Sequence, residues 1–174
     1  MKTILTEHQI SFTIKRLAYQ ILENNINLDD TVVIGMQPRG IFLSDKIVLA
    51  LKNILQRDQI HYGLLDITFY RDDIRRGLLI PNKTDINFSI ENKKVILIDD
   101  VLYTGRTIRA ALDALLDFGR PGKVELCVLI DRRFSRELPI QPDYTGRVID
   151  AMVSQKVKVR WKEKDEATEV IITE

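Results

Sequence analysis

The chain has 174 residues, of which 45% are hydrophobic and 29% charged, and its formal net charge is +1. These values fit a single globular domain over residues 1–174 and argue against a surface that attracts nucleic acid or membrane throughout. One cysteine excludes an internal disulfide. Without a signal region or an apolar run of membrane length, we expect a cytoplasmic protein with no membrane partner.

Helical and strand-like patterns alternate along the first part of the chain. Thr6 and Gln9 form a capping box, which predicts a helix start, and apolar residues then recur at helical spacing as far as Asn24. Residues 31–36 form a continuous apolar run, typical of a buried strand, and a second helical pattern covers residues 40–56. Residues 62–70 predict a strand because apolar and aromatic residues dominate them.

The alternation continues after a long charged segment. Residues 71–92 are charged and then punctuated by Pro and Asn, which predicts a functional lid or a hairpin. The later predicted elements are strands over 95–98 and 124–130, a helix between them over 106–118, and strands over 148–153, 156–161 and 168–172. Continuous apolar strands separated by helices predict an α/β fold, with a central, mostly parallel sheet flanked by helices.

Polar residues follow three of these strands, at the carboxyl ends where such sheets bind ligands, namely residues 37–40, 99–107 and 131–136. The adjacent carboxylates Asp99 and Asp100 need sugar hydroxyls or Mg²⁺ to satisfy them. The following turn contains Thr104, Gly105 and Thr107, whose amides and hydroxyls are suited to a phosphate at the start of a helix. The spacing favours a ribose 5-phosphate.

This segment has two other interpretations. A nucleotide triphosphatase needs a Gly-x-x-x-x-Gly-Lys-Ser/Thr loop, but after Gly35 and Gly40 the chain has Ile41 and Phe42 in place of Lys and Ser/Thr. A strand end followed by a helix cap, with no ligand, is the second alternative. This second alternative does not explain why thirteen consecutive positions fit a single ligand-binding mechanism.

Residues 95–107 resemble the phosphoribosyl pyrophosphate (PRPP) signature of type I phosphoribosyltransferases. Together with residues 66–73, 136–140 and 143–144, they resemble the family of bifunctional pyrimidine-operon attenuation regulators and uracil phosphoribosyltransferases, the PyrR family. The resemblance implies the type I fold with a small hood and a flexible lid hairpin. It also implies that uracil and PRPP give UMP and pyrophosphate, with Mg²⁺ as cofactor.

The resemblance assigns site residues by position. It implies catalytic roles for Asp99, Asp100 and Arg71, with Asp100 either a proton acceptor or a stabiliser of the ribosyl cation. Mg²⁺ would be held through PRPP, with Asp99 and Asp100 as candidate ligands. The implied PRPP and nucleotide-binding residues are Pro38, Arg39, Gly40, Asp99, Asp100, Val101, Leu102, Tyr103, Thr104, Gly105, Arg106, Thr107 and Arg132.

The regulatory activity of the family implies a basic face that binds pyrimidine operon mRNA. The candidates in this chain are Lys15, Arg16, Tyr19 and Arg147, although Tyr19 stands where the family pattern has histidine. Solvated surface charges are the alternative interpretation of these residues. The resemblance also implies a homodimer or homotetramer. Two alternative functions remain open, a nucleotide-sensing RNA-binding regulator without turnover and a phosphoribosyltransferase for another base.

Overall fold

A computed structural model describes residues 1–71 and 81–174. The strands are β1 (Lys2–Leu5), β2 (Thr31–Met36), β3 (Tyr62–Leu65), β4 (Lys94–Leu102), β5 (Lys123–Arg133), β6 (Tyr144–Asp150), β7 (Lys156–Arg160) and β8 (Glu169–Thr173). The helices are α1 (Glu7–Asn24), α2 (Gly40–Leu55) and α3 (Arg106–Leu115). The predicted capping box at Thr6 and Gln9 is present at the start of α1.

Five strands form a parallel sheet in the order β3-β2-β4-β5-β6. All six residues of β2 are buried, as expected of a strand that is covered on both faces. Along β4, Ile96 and Ile98 belong to the apolar core that also contains α1 and α2, whereas Val95 and Leu97 belong to the core with α3. This arrangement confirms the predicted α/β fold with flanking helices.

A second sheet forms the hood, in which β8 pairs antiparallel with both β1 and β7. It joins the two ends of the chain, and its β7–β8 connection places the fully buried Trp161 near Phe42 of α2. The four-residue β1 was not predicted because so short a segment has no clear alternation of its own. Its pairing with β8, distant in sequence, defines it as a strand.

Several predicted boundaries were wrong, and pairing or local hydrogen bonds explain the differences. Strand β4 continues through Asp99 to Leu102 because β5, which is also longer than predicted, supplies backbone partners at Val128 and Asp131. Strand β3 ends at Leu65, not at residue 70, because the Asp66 carboxylate accepts hydrogen bonds from the amide and hydroxyl of Thr68 and closes a turn.

The other boundaries differ by a few residues. Helix α3 ends at Leu115, and a short 3₁₀ turn carries the chain on to Phe118. Strand β6 starts earlier than predicted, at Tyr144, because it pairs with β5 from Cys127 onward. Of the predicted lid or hairpin over residues 71–92, residues 72–80 lie outside the described residues; residues 81–92 form no strand and make one isolated bridge, between Asp85 and Leu64. No helix in the described ranges is both long and apolar enough to cross a bilayer.

Candidate active site

The three predicted ligand-binding segments meet at one edge of the central sheet. Strands β2, β4 and β5 are parallel neighbours, so residues 37–40, 99–107 and 131–136 follow carboxyl ends that lie side by side. A Cβ added to Gly40 would lie 2.7 Å from the Ile98 carbonyl oxygen and 3.0 Å from the Asp99 Cα. Glycine therefore permits the first segment to approach β4. The peptide bond between Gln37 and Pro38 is cis.

Asp99 and Asp100 lie at the centre of this edge, and each is only 8% exposed. The Asp100 amide donates to Asp99 Oδ1 at 2.9 Å. Burial and then the charge of Asp100 raise the pKa of Asp99, against the opposing charge of Arg71. Burial also raises the pKa of Asp100, although Arg39, whose Nε lies 3.6 Å from Asp100 Oδ2, opposes that shift. The pair therefore favours an added cation or hydroxyl donors.

The turn after β4 encloses a cavity of about 260 Å³. Gly105 has a φ of 94°, which a residue with a side chain rarely adopts, and α3 begins at the next residue. The Arg106 amide donates to Thr104 Oγ1 at 3.3 Å. The cavity is lined by Arg71, Asp99, Val101, Leu102, Tyr103, Thr104, Gly105, Arg106, Thr107, Ile108 and Glu137. A helix start with hydroxyl groups around a small cavity is suited to a phosphate group.

A neighbouring segment holds the turn from outside, a role that the sequence did not reveal. The amides of Glu137 and Leu138 donate to the Thr104 carbonyl oxygen at 3.0 and 3.2 Å. Arg136 donates to the Tyr103 carbonyl oxygen at 2.5 Å and also pairs with Asp131. The sequence indicated this segment only by its position, because residues 131–136 follow the apolar run of β5, the neighbour of β4 in the sheet.

Arg132 connects β5 to the loop after β6. Its guanidinium carbon lies 4.0 Å from the centre of the Tyr103 ring, a cation–π contact. Its Nη2 donates to the carbonyl oxygens of Met152 at 3.3 Å and Gln155 at 2.9 Å. The side chain is buried, and its Nε has no hydrogen-bond partner among the described residues. Burial lowers the pKa of Arg132.

Arg39 connects the edge of the central sheet to the hood. Its Nη2 lies 2.8 Å from Asp165 Oδ2 and also donates to the carbonyl oxygen of Val159. Both partners belong to β7 or to the connection between β7 and β8. Sequence reasoning missed Asp165 because 126 positions separate it from Arg39.

Three of the four RNA-binding candidates are on α1, and the fourth, Arg147, is on β6. Arg16 donates to the Gly146 carbonyl oxygen at 2.5 Å, and Arg147 of the same β6 strand donates to the Ile4 carbonyl oxygen at 3.4 Å. Lys15 and Tyr19 line a separate groove between α1 and α2. The structure therefore brings the four together as two pairs and not as one cluster.

The described ranges contain no group of three or more His, Cys, Asp or Glu side chains that could hold a metal ion by themselves. Asp99 and Asp100 nevertheless provide two carboxylates whose pKa values are raised, chiefly by burial. This donor set fits a hard cation such as Mg²⁺ when a ligand supplies further oxygen atoms.

Comparison with known proteins gives a consistent family. The model of the phosphoribosyl transferase domain matches residues 1–164. The bifunctional protein PyrR of Chloroflexus aurantiacus is 44% identical over 173 residues, which cover 98% of this chain and 94% of that protein. The bifunctional protein PyrR of Ligilactobacillus salivarius is 44% identical over 168 residues, covering 94% of this chain and 93% of that protein.

Solved structures agree on the fold. A hypoxanthine-guanine phosphoribosyltransferase of Bacillus anthracis superposes with a TM-score of 0.74 at 19% identity, covering 100% of this chain and 98% of that chain. A hypoxanthine phosphoribosyltransferase of Staphylococcus aureus gives 0.72 at 20% identity, covering 98% and 90%. At these identities the likeness extends to the fold alone. By its domain match and its near full-length relatives, the chain belongs to the PyrR family of phosphoribosyltransferase-domain proteins.

Proposed function

We propose that this protein transfers the 5-phosphoribosyl group of PRPP to uracil. The bond between the ribose C1 and the pyrophosphate oxygen breaks, a bond from C1 to N1 of uracil forms, and the N1 proton is released. The products are UMP and pyrophosphate. The observation that carries the proposal is the juxtaposition of Asp99 and Asp100 with the cavity of the Thr104–Thr107 turn, at one strand end.

Each part of this edge is suited to a different part of PRPP. Asp99 and Asp100 accept hydrogen bonds from the ribose hydroxyls, because their buried carboxylates need donors. Thr104, Thr107 and the amides at the start of α3 bind the 5-phosphate. Oriented in this way, the anomeric carbon lies in a fixed position for attack, which lowers the entropic part of the barrier.

Positive charge around the carboxylates serves the leaving group. Arg39 and Arg71 both act electrostatically on the aspartate pair, and we assign them to the pyrophosphate side of the site. Asp99 and Asp100 would also hold Mg²⁺ together with oxygen atoms of PRPP. The ion, when bound, stabilises the negative charge that develops on the departing pyrophosphate. Asp100 remains the candidate for accepting the proton or for stabilising the ribosyl cation.

Arg132 and Tyr103 mark the side on which we place the base. Arg132 stacks on the Tyr103 ring and ties down the loop at Met152 and Gln155. A loop held in this way presents backbone groups in fixed directions, which suits recognition of the carbonyl and N–H edge of uracil. The orphaned Nε of the buried Arg132 is a further donor at this position.

Product analysis with several bases tests the proposal. The protein is incubated with PRPP and Mg²⁺ and with uracil, hypoxanthine, guanine or orotate, and nucleotide formation is measured for each base. We expect turnover with uracil alone. Turnover with hypoxanthine or guanine instead would assign the chain to purines and contradict the pyrimidine proposal. An absence of turnover with every base would leave the nucleotide-sensing regulator as the remaining function.

A second activity, UMP-dependent binding of pyrimidine operon mRNA, is proposed from the family and from one structural observation. Lys15 and Arg16 are consecutive exposed residues of α1, and Arg16 donates to the Gly146 carbonyl oxygen, directly before Arg147 in β6. Binding of UMP at the strand edge and of RNA at this surface would be thermodynamically coupled. Gel-shift or calorimetric titration of operon leader RNA with and without UMP tests it, and equal affinities would contradict the coupling.

A further inference from the structure

The guanidinium of Arg39 is held between the two sheets of the molecule. Its Nε lies 3.6 Å from Asp100 Oδ2 at the edge of the central sheet, whereas its Nη2 lies 2.8 Å from Asp165 Oδ2 in the hood. The Val159 carbonyl oxygen is a third partner. Of these three contacts, those with Asp165 and Val159 come from the hood, and the one with Asp100 comes from the central sheet.

Asp165 is itself fixed by its surroundings. Its Oδ2 accepts from the Trp161 amide at 3.1 Å, and its own amide donates back to the Trp161 carbonyl oxygen at 2.6 Å. Lys158 lies 3.2 Å from Oδ1. The hydrogen bond from Arg39, followed by that from the Trp161 amide, holds the pKa of Asp165 well below its ordinary value. The carboxylate is therefore charged and rigidly oriented.

The hairpin that carries Asp165 is anchored in the core. Trp161 is fully buried and lies against Phe42 of α2, with ring centres 6.4 Å apart. Because α2 starts at Gly40, directly after Arg39, the same packing fixes both the hairpin and the helix that follows the arginine. The packing of Trp161 on α2 thus anchors the start of the loop that carries Asp165 close to the residue that precedes this helix.

We propose that Asp165 is a positioning residue that orients Arg39 toward the pyrophosphate of PRPP. The inference rests on the pyrophosphate role proposed above for Arg39. A guanidinium has five N–H donors, and within the described residues the contacts of Arg39 engage Nη2 and Nε. The donors of Nη1 remain for phosphate oxygens, and Asp165 determines where they point.

The alternative is that Asp165 competes with pyrophosphate for Arg39. The two interpretations predict opposite changes in pyrophosphate affinity when the Asp165 carboxylate is removed. If Asp165 positions the arginine, its removal costs affinity because the long side chain must be ordered when pyrophosphate binds. If Asp165 competes, its removal increases affinity. The geometry favours positioning, because Asp165 and Val159 both engage Nη2 and leave the Nη1 donors for phosphate oxygens.

The substitution Asp165→Asn tests the inference, because asparagine keeps the shape and an acceptor for the Trp161 amide but loses the charge. We expect the KM for PRPP and the Kd for pyrophosphate to rise about tenfold, the usual effect of losing a hydrogen bond to a charged group. The KM for uracil should stay within about twofold. The matched control is Glu163→Gln in the same hairpin, which removes an ion pair with Lys46 of α2 but no contact with Arg39.

A double substitution separates positioning from general damage. In an Arg39→Gln background, Asp165→Asn should add less than about twofold to the pyrophosphate Kd, since contacting residues are not additive. A full additional tenfold loss, an equal rise in both KM values, or tighter pyrophosphate binding by Asp165→Asn would overturn the inference. If Asp165→Asn does not fold, Asp165→Glu replaces it, with an expected rise of about threefold because the charge is kept but displaced.

Failure here can be told apart from failure of the proposed reaction. Calorimetric titration with magnesium pyrophosphate needs no turnover, so it compares the variants even if no base is a substrate. A wild-type protein without UMP formation would contradict the proposed function alone. Unchanged pyrophosphate affinity in Asp165→Asn would contradict the positioning role alone.

Discussion

At the scale of single residues, Gly40 is the position where a small change has the most direct consequence. A Cβ there would overlap the Ile98 carbonyl oxygen at 2.7 Å. We predict that Gly40→Ala moves the segment around Arg39 away from β4 and destabilises the fold by about 1–3 kcal/mol, the usual cost of overpacking. Urea unfolding and PRPP titration measure the two effects. Wild-type values in both would show that the close approach is not required.

Thr107 offers a test of the phosphate site that leaves packing unchanged. Valine has nearly the same shape as threonine but no hydroxyl, so Thr107→Val should weaken PRPP binding by about 1–3 kcal/mol, the cost of an unmet polar partner. Calorimetric titration measures the change. Thr13→Val on α1, outside the lining of the cavity, is the control and should bind normally. An unchanged dissociation constant for Thr107→Val would remove this hydroxyl from the phosphate site.

The candidate site residues that the sequence predicted lie close together along the chain, whereas the residue that it missed has its partner far away in sequence. Asp99, Asp100, Thr104 and Thr107 follow one another along a single strand-to-helix turn, so their types and spacing carry the chemistry. Asp165 contributes through a partner 126 positions away. Such a pairing depends on how the hood packs on the central sheet, which no local pattern encodes.

At the scale of elements, β5 carries a buried carboxylate at its start that has no place in the proposed reaction. Glu125 accepts hydrogen bonds from Tyr144 at 2.6 Å and from Asn25 at 3.2 Å, and it pairs with Lys123 at 2.8 Å. Burial alone would raise the pKa of Glu125, but these hydrogen bonds and the charge of Lys94 outweigh it and lower the pKa to about 2. The cluster joins α1, β5 and β6 at the edge opposite the active site.

This cluster predicts acid sensitivity. Because the pKa of Glu125 is lower in the folded than in the unfolded chain, its contribution to stability is present above the unfolded value of about 4.5 and is lost as pH falls toward about 2. Urea unfolding between pH 5 and 2.5 should show a fall in stability that Glu125→Gln makes shallower. An identical pH dependence in the variant would show that other carboxylates cause the fall.

Elements were predicted better in type than in extent. The order of strands and helices in the central sheet follows from apolar runs and from Gly and Pro positions. The continuation of β4 through two aspartates does not, because aspartate is unfavourable in strands and only pairing on β5 keeps these residues extended. The four-residue β1 likewise owes its conformation to β8.

At the scale of the whole molecule, a net charge of +1 means that any RNA binding depends on local charge. Lys15 is exposed, whereas Arg16 is tied to the β6 backbone. We predict that Lys15→Ala weakens RNA binding and reduces the salt slope by about one, with the unfolding free energy unchanged. Arg16→Ala should in addition lower stability. Salt-dependent titration of leader RNA measures this, and an unchanged slope for Lys15→Ala would exclude a phosphate contact.

The fold brings the Asp99–Asp100 pair, the cavity of the Thr104–Thr107 turn and Arg39, which the hood holds, to one sheet edge. The central claim is our proposal that this edge transfers ribose 5-phosphate to uracil. UMP formation from uracil and PRPP, measured for the wild type beside Asp99→Asn/Asp100→Asn, tests that claim most directly. We predict turnover by the wild type, none by the variant, and a variant that unfolds at the wild-type urea concentration or higher, since it buries no charged pair. Near-normal UMP formation by the folded variant would contradict the account.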